Sequence, residues 1–337
     1  MRVWKLLFFP TLFSIFQLFL DLSKVFANTK FRCASIAPPG SLFDRILRDM
    51  ASKIKEKTGV EILFFSGSII GDEIDIVRDL KNGKYDCVVS TSQSLGYISS
   101  YFAILELPFM IKNEKESDFV RKRLIKVFRE ILSSEGYIIG GIAEVGFDNF
   151  FSKQPIQNLK DFSGKSFWVW KGNKNHEEMY KNVMKNLGVK SVVLPIWDVE
   201  KFGSEIDIVW ASPSVILAFG WTRFTRYIVE PPIGFLPAAI VIRKDKFDSL
   251  SQEAQSEIIR IIEVSTEEAT MKIRKENEEA KKFMVNKLGF QIINLKDVEL
   301  LERLFREYMW PVFREKYIPS WFFISVITEI MRLRTGQ

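Results

Sequence analysis

The chain has 337 residues, of which 47% are hydrophobic and 27% charged, so it is long enough for two globular domains and too apolar to be disordered. Its formal net charge of +6 comes from cations dispersed along the chain without a basic block. This distribution argues against nucleic acid as a partner. Thirty phenylalanines and eight tryptophans predict cores, or a ligand cavity, rich in aromatic rings.

Residues 1–27 have the pattern of an export signal. Arg2 and Lys5 precede an apolar run from Leu6 to Leu20 that is too short to span a bilayer, and Val25-Phe26-Ala27 fits a cleavage site. We therefore expect a cleaved signal peptide and a periplasmic mature protein. An uncleaved anchor or a buried N-terminal helix is the alternative. Removing this segment, with its three cations and one carboxylate, lowers the formal net charge from +6 to +4.

The two cysteines, Cys33 and Cys87, lie in strand-like runs. Cysteine in such runs is usually a small buried hydrophobic residue, and adjacent parallel strands rarely give disulfide geometry. We expect two separate thiols, with a bridge as the less favoured alternative. Two cysteines and the lone His176 are too few for a zinc site, and no cofactor is predicted.

Strands and helices alternate along the first third of the chain. The predicted elements are, in order, Lys30–Ser35 (strand), Leu42–Lys57 (helix), Val60–Phe65 (strand), Asp72–Leu80 (helix) and Tyr85–Ser90 (strand). Near-continuous apolar strands separated by helices are typical of a parallel sheet covered on both faces. Ligands bind beyond the carboxyl ends of such strands, so we expect Ser35–Ser41 and Ser90–Ser92 at the edge of a cleft. Ordinary polar loops are the alternative.

The middle of the chain repeats this alternation and predicts a second α/β unit. Its expected strands are Tyr137–Val145, Lys165–Lys171, Val192–Pro195, Ile206–Trp210, Tyr227–Pro232 and Ala238–Arg243. Its expected helices are Glu114–Ser134, His176–Leu187 and Ser214–Trp221.

A long helix is predicted from Ser251 to Leu288, where Gly289 ends it. Thirty-eight residues at 1.5 Å each give roughly 57 Å, which exceeds one small domain. We therefore expect this helix to lie across both domains. The later apolar run Trp321–Ile327 is too short to span a membrane and is expected to pack onto a domain.

The predicted strand Lys165–Lys171 carries aromatic rings on both faces, because Trp168 and Trp170 point away from Phe167. One face can enter a core, and we expect the other to line a ligand cleft. Packing of these rings in a core is the alternative. Lys171 is a cation that could bind an anion, although a surface position is the alternative. The predicted ligand-binding residues are Trp168, Trp170, Trp210, Phe147, Ser90, Thr91, Asn149, Ser212 and Lys171.

The motifs of hydrolases, nucleotide-binding enzymes and metalloproteases are absent from the sequence. The lone His176 lies in a polar helix start, and adjacent carboxylates such as Glu177-Glu178 resemble a solvated face. We therefore predict a binding protein, not an enzyme. A transport receptor, a non-transport binding module such as a sensor or lipid carrier, and, less favoured, an exported enzyme remain the candidate classes.

The sequence resembles the periplasmic solute-binding proteins (DctP type) of tripartite ATP-independent periplasmic (TRAP) transporters over nearly the whole mature chain. The stretches that carry the resemblance are Phe64–Thr91, Leu105–Met110, Gly146–Val169, Ile206–Pro213 and Ala238–Gln255. It implies a two-domain α/β fold of the periplasmic-binding-protein type (type II-like). It also implies hinge strands near Ala143–Phe150 and Ile233–Arg243, and a long helix under both domains. Such a receptor closes on a small ligand and delivers it to a membrane permease driven by an ion gradient.

The resemblance implies domain boundaries as well. Domain I is expected to comprise residues 28–145 and 233–272, and domain II residues 146–232 and 273–320. Residues 321–337 are expected to form a C-terminal helix.

The chain departs from the family pattern where organic acids are bound. Members that bind such acids usually carry an arginine at the position of Trp168, and a second basic residue is common at the position of Asp148. Tryptophan has one N–H and no charge, so it cannot replace a guanidinium that binds a carboxylate with two hydrogen bonds. The segment Trp197–Glu205 is also about two residues shorter than usual. The chain is thus assigned to a subgroup without this arginine. Its ligand is left open between a small organic acid and a more apolar or aromatic compound, including a cation stacked on indole faces.

Overall fold

The computed structural model describes residues 29–172 and 174–336, without the side chains of residues 174–176. The predicted signal peptide and the side chain of His176 therefore lie outside the described residues. No helix within the described ranges is both long and apolar enough to cross a membrane.

Nine strands and eleven α-helices make up the described fold. The strands are β1 (Lys30–Ser35), β2 (Glu61–Ser66), β3 (Cys87–Thr91), β4 (Tyr137–Ser152), β5 (Ser166–Trp170), β6 (Lys190–Leu194), β7 (Ile208–Ala211), β8 (Tyr227–Arg243) and β9 (Gln291–Asn294). The helices are α1 (Leu42–Thr58), α2 (Glu73–Lys81), α3 (Ser92–Leu95), α4 (Glu114–Ser134), α5 (Lys174–Asn186), α6 (Pro213–Ala218), α7 (Lys244–Asp248), α8 (Gln252–Leu288), α9 (Val298–Tyr308), α10 (Trp310–Lys316) and α11 (Ser320–Thr335).

The strands form one sheet in the order β2-β1-β3-β8-β4-β7-β5-β6, with β9 paired to β8. The first-half strands β1, β2 and β3 are parallel to one another, as are the second-half strands β5, β6 and β7. The long antiparallel strands β4 and β8 join the two halves. The predicted α/β fold with two parallel units and crossing strands is confirmed.

The crossing strands are longer than the sequence pattern predicts. Two separate strands were expected at Tyr227–Pro232 and Ala238–Arg243, but β8 runs through both. Three prolines and Gly234 interrupt the local pattern of β8. Its pairing with β4 nevertheless continues on both sides of a register shift between Asp148 and Phe150. The pairing of β8 with β4 therefore keeps β8 continuous where the local sequence pattern predicts a break.

Gly146 marks the middle of β4. Its φ of +142° is rarely adopted by residues with a side chain, and a Cβ there would lie 2.6 Å from the amide nitrogen of Asn277. That amide donates to the Val145 carbonyl, while its oxygen accepts from Ser214 N–H. Glycine is thus required for α8 to approach β4 closely.

The long helix α8 begins after Ser251, whose hydroxyl accepts the Ala254 N–H, and ends at the left-handed Gly289. It packs against α1 of the first half, α6 of the second half and the crossing strand β4. The prediction that one helix lies across both halves is confirmed.

The prediction of two separate thiols was wrong. Cys33 on β1 and Cys87 on β3 are direct register partners, with Cα atoms 4.5 Å apart, and they form a disulfide. The disulfide forms because the register of β1 against β3 places the two cysteines opposite each other. The sequence alone does not reveal this register.

The C-terminal apolar run packs onto the first half, as expected. Phe322, Phe323 and Val326 of α11 are buried, and α11 contacts α4. Arg334 near its end binds both carboxylate oxygens of Glu116, at 2.9 and 2.8 Å.

Candidate ligand-binding site

A cavity of about 160 Å³ lies between the two halves, where the carboxyl ends of β1 and β3 face those of β5 and β7. Most of its lining is apolar. The apolar side chains include Phe43, Ile46, Leu47 and Met50 of α1, Ala269 and Ile273 of α8, and Val215, Phe219, Leu236 and Ile240.

Four tryptophans form one wall of the cavity: Trp168, Trp170, Trp210 and Trp221. The Trp168 ring stacks on Trp210 at a centroid distance of 6.0 Å and meets Trp221 edge-on at 5.0 Å. Its indole N–H donates to the Leu194 carbonyl at 3.0 Å. Trp168 therefore packs against its neighbours and lines the cavity at the same time.

Six of the nine predicted ligand-binding residues line this cavity: Trp168, Trp170, Trp210, Ser212, Ser90 and Thr91. The other three lie outside the lining. Phe147 packs on Phe235 at 5.4 Å, the Asn149 amide donates to the Val229 carbonyl at 2.9 Å, and Lys171 is exposed to solvent. Ligand binding by any of the nine remains a prediction.

Sequence reasoning did not select several residues of the lining: Trp221 and the carboxyl-bearing residues Asp72, Glu73, Glu144 and Asp148. The pattern Asp72-Glu73-Ile74-Asp75 does indicate a helix start, but not burial at a cleft. In the sequence, Asp148 differs from the family pattern, but this difference does not indicate that it is buried in a cavity.

Asp148 is a buried carboxyl of the cavity with one unpartnered oxygen. The residue is 2% exposed, and its Oδ1 is buried without a hydrogen-bond partner. Burial raises the pKa of its carboxyl to about 8. Asp148 is therefore mostly protonated at neutral pH in the empty cavity.

Glu73 is a second buried carboxyl, at the start of α2. It accepts hydrogen bonds from the hydroxyl and the backbone N–H of Thr91, at 2.5 and 3.3 Å. Burial outweighs these bonds and raises the pKa of Glu73 to about 7. Unlike Asp148, Glu73 has its acceptors satisfied by the protein.

Asp72 joins the two halves across the mouth of the cavity. Its carboxylate caps α2 through the Glu73 N–H at 2.6 Å. It also accepts the indole N–H of Trp170, 3.2 Å from both oxygens, and the Ile196 N–H at 2.9 Å. The Trp197 indole donates to the Gly71 carbonyl beside it. These contacts join the two halves beside the cavity.

Replacing Asp72 with Asn should weaken ligand binding about tenfold, because one charged acceptor across the cleft is worth roughly 1.5–3 kcal/mol. Asparagine can keep the helix cap, but its amide nitrogen cannot accept from Ile196. Calorimetric titration of the co-purified ligand measures the loss. Asp49→Asn, at an exposed carboxylate of α1, is the charge-matched control. Equal affinities of the two variants would show that Asp72 does not hold the cleft closed.

The stability of the empty protein should fall as the pH rises from about 4 to 8. Asp148 keeps its proton up to about pH 8 in the folded state, whereas the unfolded chain releases it near pH 4. The stabilisation is complete below pH 4 and is lost by pH 8; this difference amounts to at most about 5 kcal/mol. Glu73 acts in the same direction up to about pH 7.

Urea denaturation of the wild type and Asp148→Asn between pH 5 and 8 checks this expectation. The variant should show a clearly smaller decrease in unfolding free energy over this range. Indistinguishable pH profiles would mean that Asp148 is ionised in the empty protein.

Glu144 is fully buried on β4, but its charge is compensated. Arg274 of α8 donates to its carboxylate, with Nε 2.8 Å from Oε2, and the Arg121 guanidinium lies 3.7 Å away. Arg274 also binds Asp118 of α4 at 2.7 Å. This ion cluster ties α4, α8 and β4 together beside the cavity.

The lining residues within the described ranges include no lysine, arginine or histidine. No group of three or more metal-ligating side chains is arranged to hold a metal ion anywhere in those ranges. The cavity thus offers indole rings, hydroxyls and carboxyls, but no cation.

The sequence is similar to those of known bacterial solute-binding proteins. Residues 33–319 match the family described as bacterial extracellular solute-binding protein, family 7. An uncharacterised protein of Haemophilus influenzae is 24% identical over 283 residues, which are 78% of this chain and 80% of that protein.

Solved structures show the same fold at low identity. A TRAP periplasmic solute-binding protein of Xanthobacter autotrophicus, with bound β-D-galacturonate, superposes with a TM-score of 0.79 at 19% identity, covering 89% of this chain and 98% of that one. An extracytoplasmic solute receptor of Bordetella pertussis that binds pyroglutamic acid gives a TM-score of 0.80 at 15% identity, covering 89% and 100%. Since the family match spans more than half of the chain, the protein belongs to the bacterial extracellular solute-binding proteins of family 7.

Proposed function

We propose that this protein captures a small ligand in the cavity between its halves and delivers it to an ion-gradient-driven TRAP permease in the membrane. The observation that carries the proposal is a largely apolar cavity lined by both halves of a solute-receptor fold. The same proposal includes export of the protein by a signal peptide that is cleaved near Ala27. It also includes two domains, whose boundaries lie at residues 145/146, 232/233 and 272/273.

The ligand is proposed to be a more apolar or aromatic compound, not a small organic acid. The relatives named above bind galacturonate and pyroglutamic acid. A carboxylate in an apolar site needs a charged partner, and the described lining of this cavity contains none. Four indoles provide instead a large ring surface for an apolar body.

Native mass spectrometry of the receptor purified from its source cells tests the proposal. We expect a 1:1 complex whose small molecule is released on unfolding. Cells that contain the permease should take up that compound only when the receptor is present. Uptake that continues without the receptor would argue against the transport role.

A further inference from the structure

We propose that the ligand carries a protonated or quaternary amine, which pairs with Asp148 while the rest of the molecule lies against the tryptophan wall. This inference rests on the receptor function proposed above and specifies its substrate class.

The unpartnered carboxyl is the first support. Almost all buried side-chain oxygens have a hydrogen-bond partner, so a buried oxygen without one indicates a missing partner. Asp148 lines the cavity, is 2% exposed, and its Oδ1 receives no hydrogen bond from the protein. A ligand N–H or a charged methylammonium group would supply that partner.

The sign of the charges is the second support. The lining holds four carboxyl-bearing residues, of which only Glu144 contacts arginines. Glu73 and Asp72 accept hydrogen bonds from uncharged donors, such as the Thr91 hydroxyl and the Ile196 N–H. The Oδ1 of Asp148 accepts none. A ligand cation favours the ionised form of Asp148 and pairs with it, whereas an organic anion finds no cation in the described lining.

The aromatic wall is the third support. Indole faces attract cations through their π-electron clouds, and tryptophan is the strongest of the aromatic residues in this respect. The Trp168 ring contacts those of Trp210 and Trp221, and all three residues line the same cavity as Asp148. A carboxyl and several indoles that line one cavity provide the chemistry that recognises alkylammonium groups.

Two indole N–H groups, those of Trp210 and Trp221, are also buried without partners. They are neutral donors, so they suit a hydroxyl, ether or amide oxygen of the ligand. They do not replace an arginine guanidinium, which binds a carboxylate with two charge-assisted hydrogen bonds. The ligand class is thus an amine with an apolar or ring-containing body and a neutral oxygen.

Binding of such a ligand is coupled to a proton. Because burial raises the pKa of Asp148 to about 8, pairing with a cation at pH 7 first requires ionisation, which costs about tenfold in affinity. The Tyr180 phenol interacts with Asp148 and with the buried Glu106 carboxyl, and burial raises the pKa of both Tyr180 and Glu106. Glu73 lies in the same lining as Asp148. Binding should therefore release about one proton per ligand at pH 7 and tighten up to about pH 8.

Three probes with one common body test the inference: phenethylamine as the cation, 2-phenylethanol as the neutral compound and phenylacetate as the anion. Calorimetry at pH 7 compares the ligand-free wild type with Asp148→Asn and with the exposed-charge control Asp49→Asn. We expect the amine to bind at least tenfold more tightly than the other two probes. Titrations in buffers of different ionisation enthalpy count the released proton.

Asp148→Asn should lose at least tenfold in affinity for the amine and stay within about twofold for the alcohol. Asp49→Asn should match the wild type for all probes. The inference is overturned if the amine fails to bind, if phenylacetate binds most tightly, or if Asp148→Asn weakens amine and alcohol equally. A co-purified compound without a basic nitrogen would also overturn it while leaving the receptor function intact.

Discussion

Replacing Arg274 with methionine should lower the free energy of unfolding by about 3 kcal/mol, because the change leaves the fully buried Glu144 carboxylate without its main partner. Removing one member of a buried ion pair typically costs about 3–5 kcal/mol. The lower value is expected here because the Arg121 guanidinium remains 3.7 Å from the same carboxylate. Chemical denaturation followed by circular dichroism measures the effect.

Two further variants make this measurement decisive. Arg260→Met on the same helix removes an exposed arginine that pairs with Glu257, and it should leave the denaturation midpoint unchanged. Adding Glu144→Gln to Arg274→Met removes the buried charge and should restore part of the lost stability. If Arg274→Met is no more harmful than Arg260→Met, the cluster does not stabilise the junction of α4, α8 and β4.

Local sequence patterns predicted most elements well, because apolar periodicity and capping residues act over a few neighbouring residues. The bounds predicted for Lys30–Ser35 and Glu114–Ser134 agree with the structure at both ends. The long helix was predicted to within one residue, since Ser251 caps its start and Gly289 its end.

Features that depend on tertiary pairing were not predictable in this way. The continuity of β8, which contains three prolines, depends on its antiparallel pairing with β4. The disulfide depends on Cys33 and Cys87 occupying facing positions of neighbouring strands. Neither register can be read from the two segments separately.

The same distinction applies to the candidate site. Rings on both faces of one strand indicated the tryptophan wall, because alternation along a strand is a local property. The burial of Asp148 and the contacts of Asp72 arise only where the two halves meet, so no local signal revealed them. Lys171 follows directly after β5, yet its exposure depends on the surrounding fold.

Replacing Trp168 with alanine should reduce ligand affinity about a hundredfold or more. A buried tryptophan contributes roughly 150–250 Å² of ring surface, and loss of about 3 kcal/mol of contact energy corresponds to this factor. The ring also supports Trp210 and Trp221, so its removal should distort the neighbouring wall. Calorimetric titration with the co-purified ligand gives the affinity, and circular dichroism confirms that the variant is folded.

Stability and binding must be separated in this experiment, because a large-to-small change in a packed region also destabilises by about 3–5 kcal/mol. Trp168→Phe keeps a ring in the wall and should lose less affinity than the alanine variant. Trp321→Ala removes an equally large ring that is 60% exposed on α11, far along the chain from the cavity, and should bind like the wild type. Unchanged affinity in a folded Trp168→Ala protein would remove this residue from the proposed ligand site.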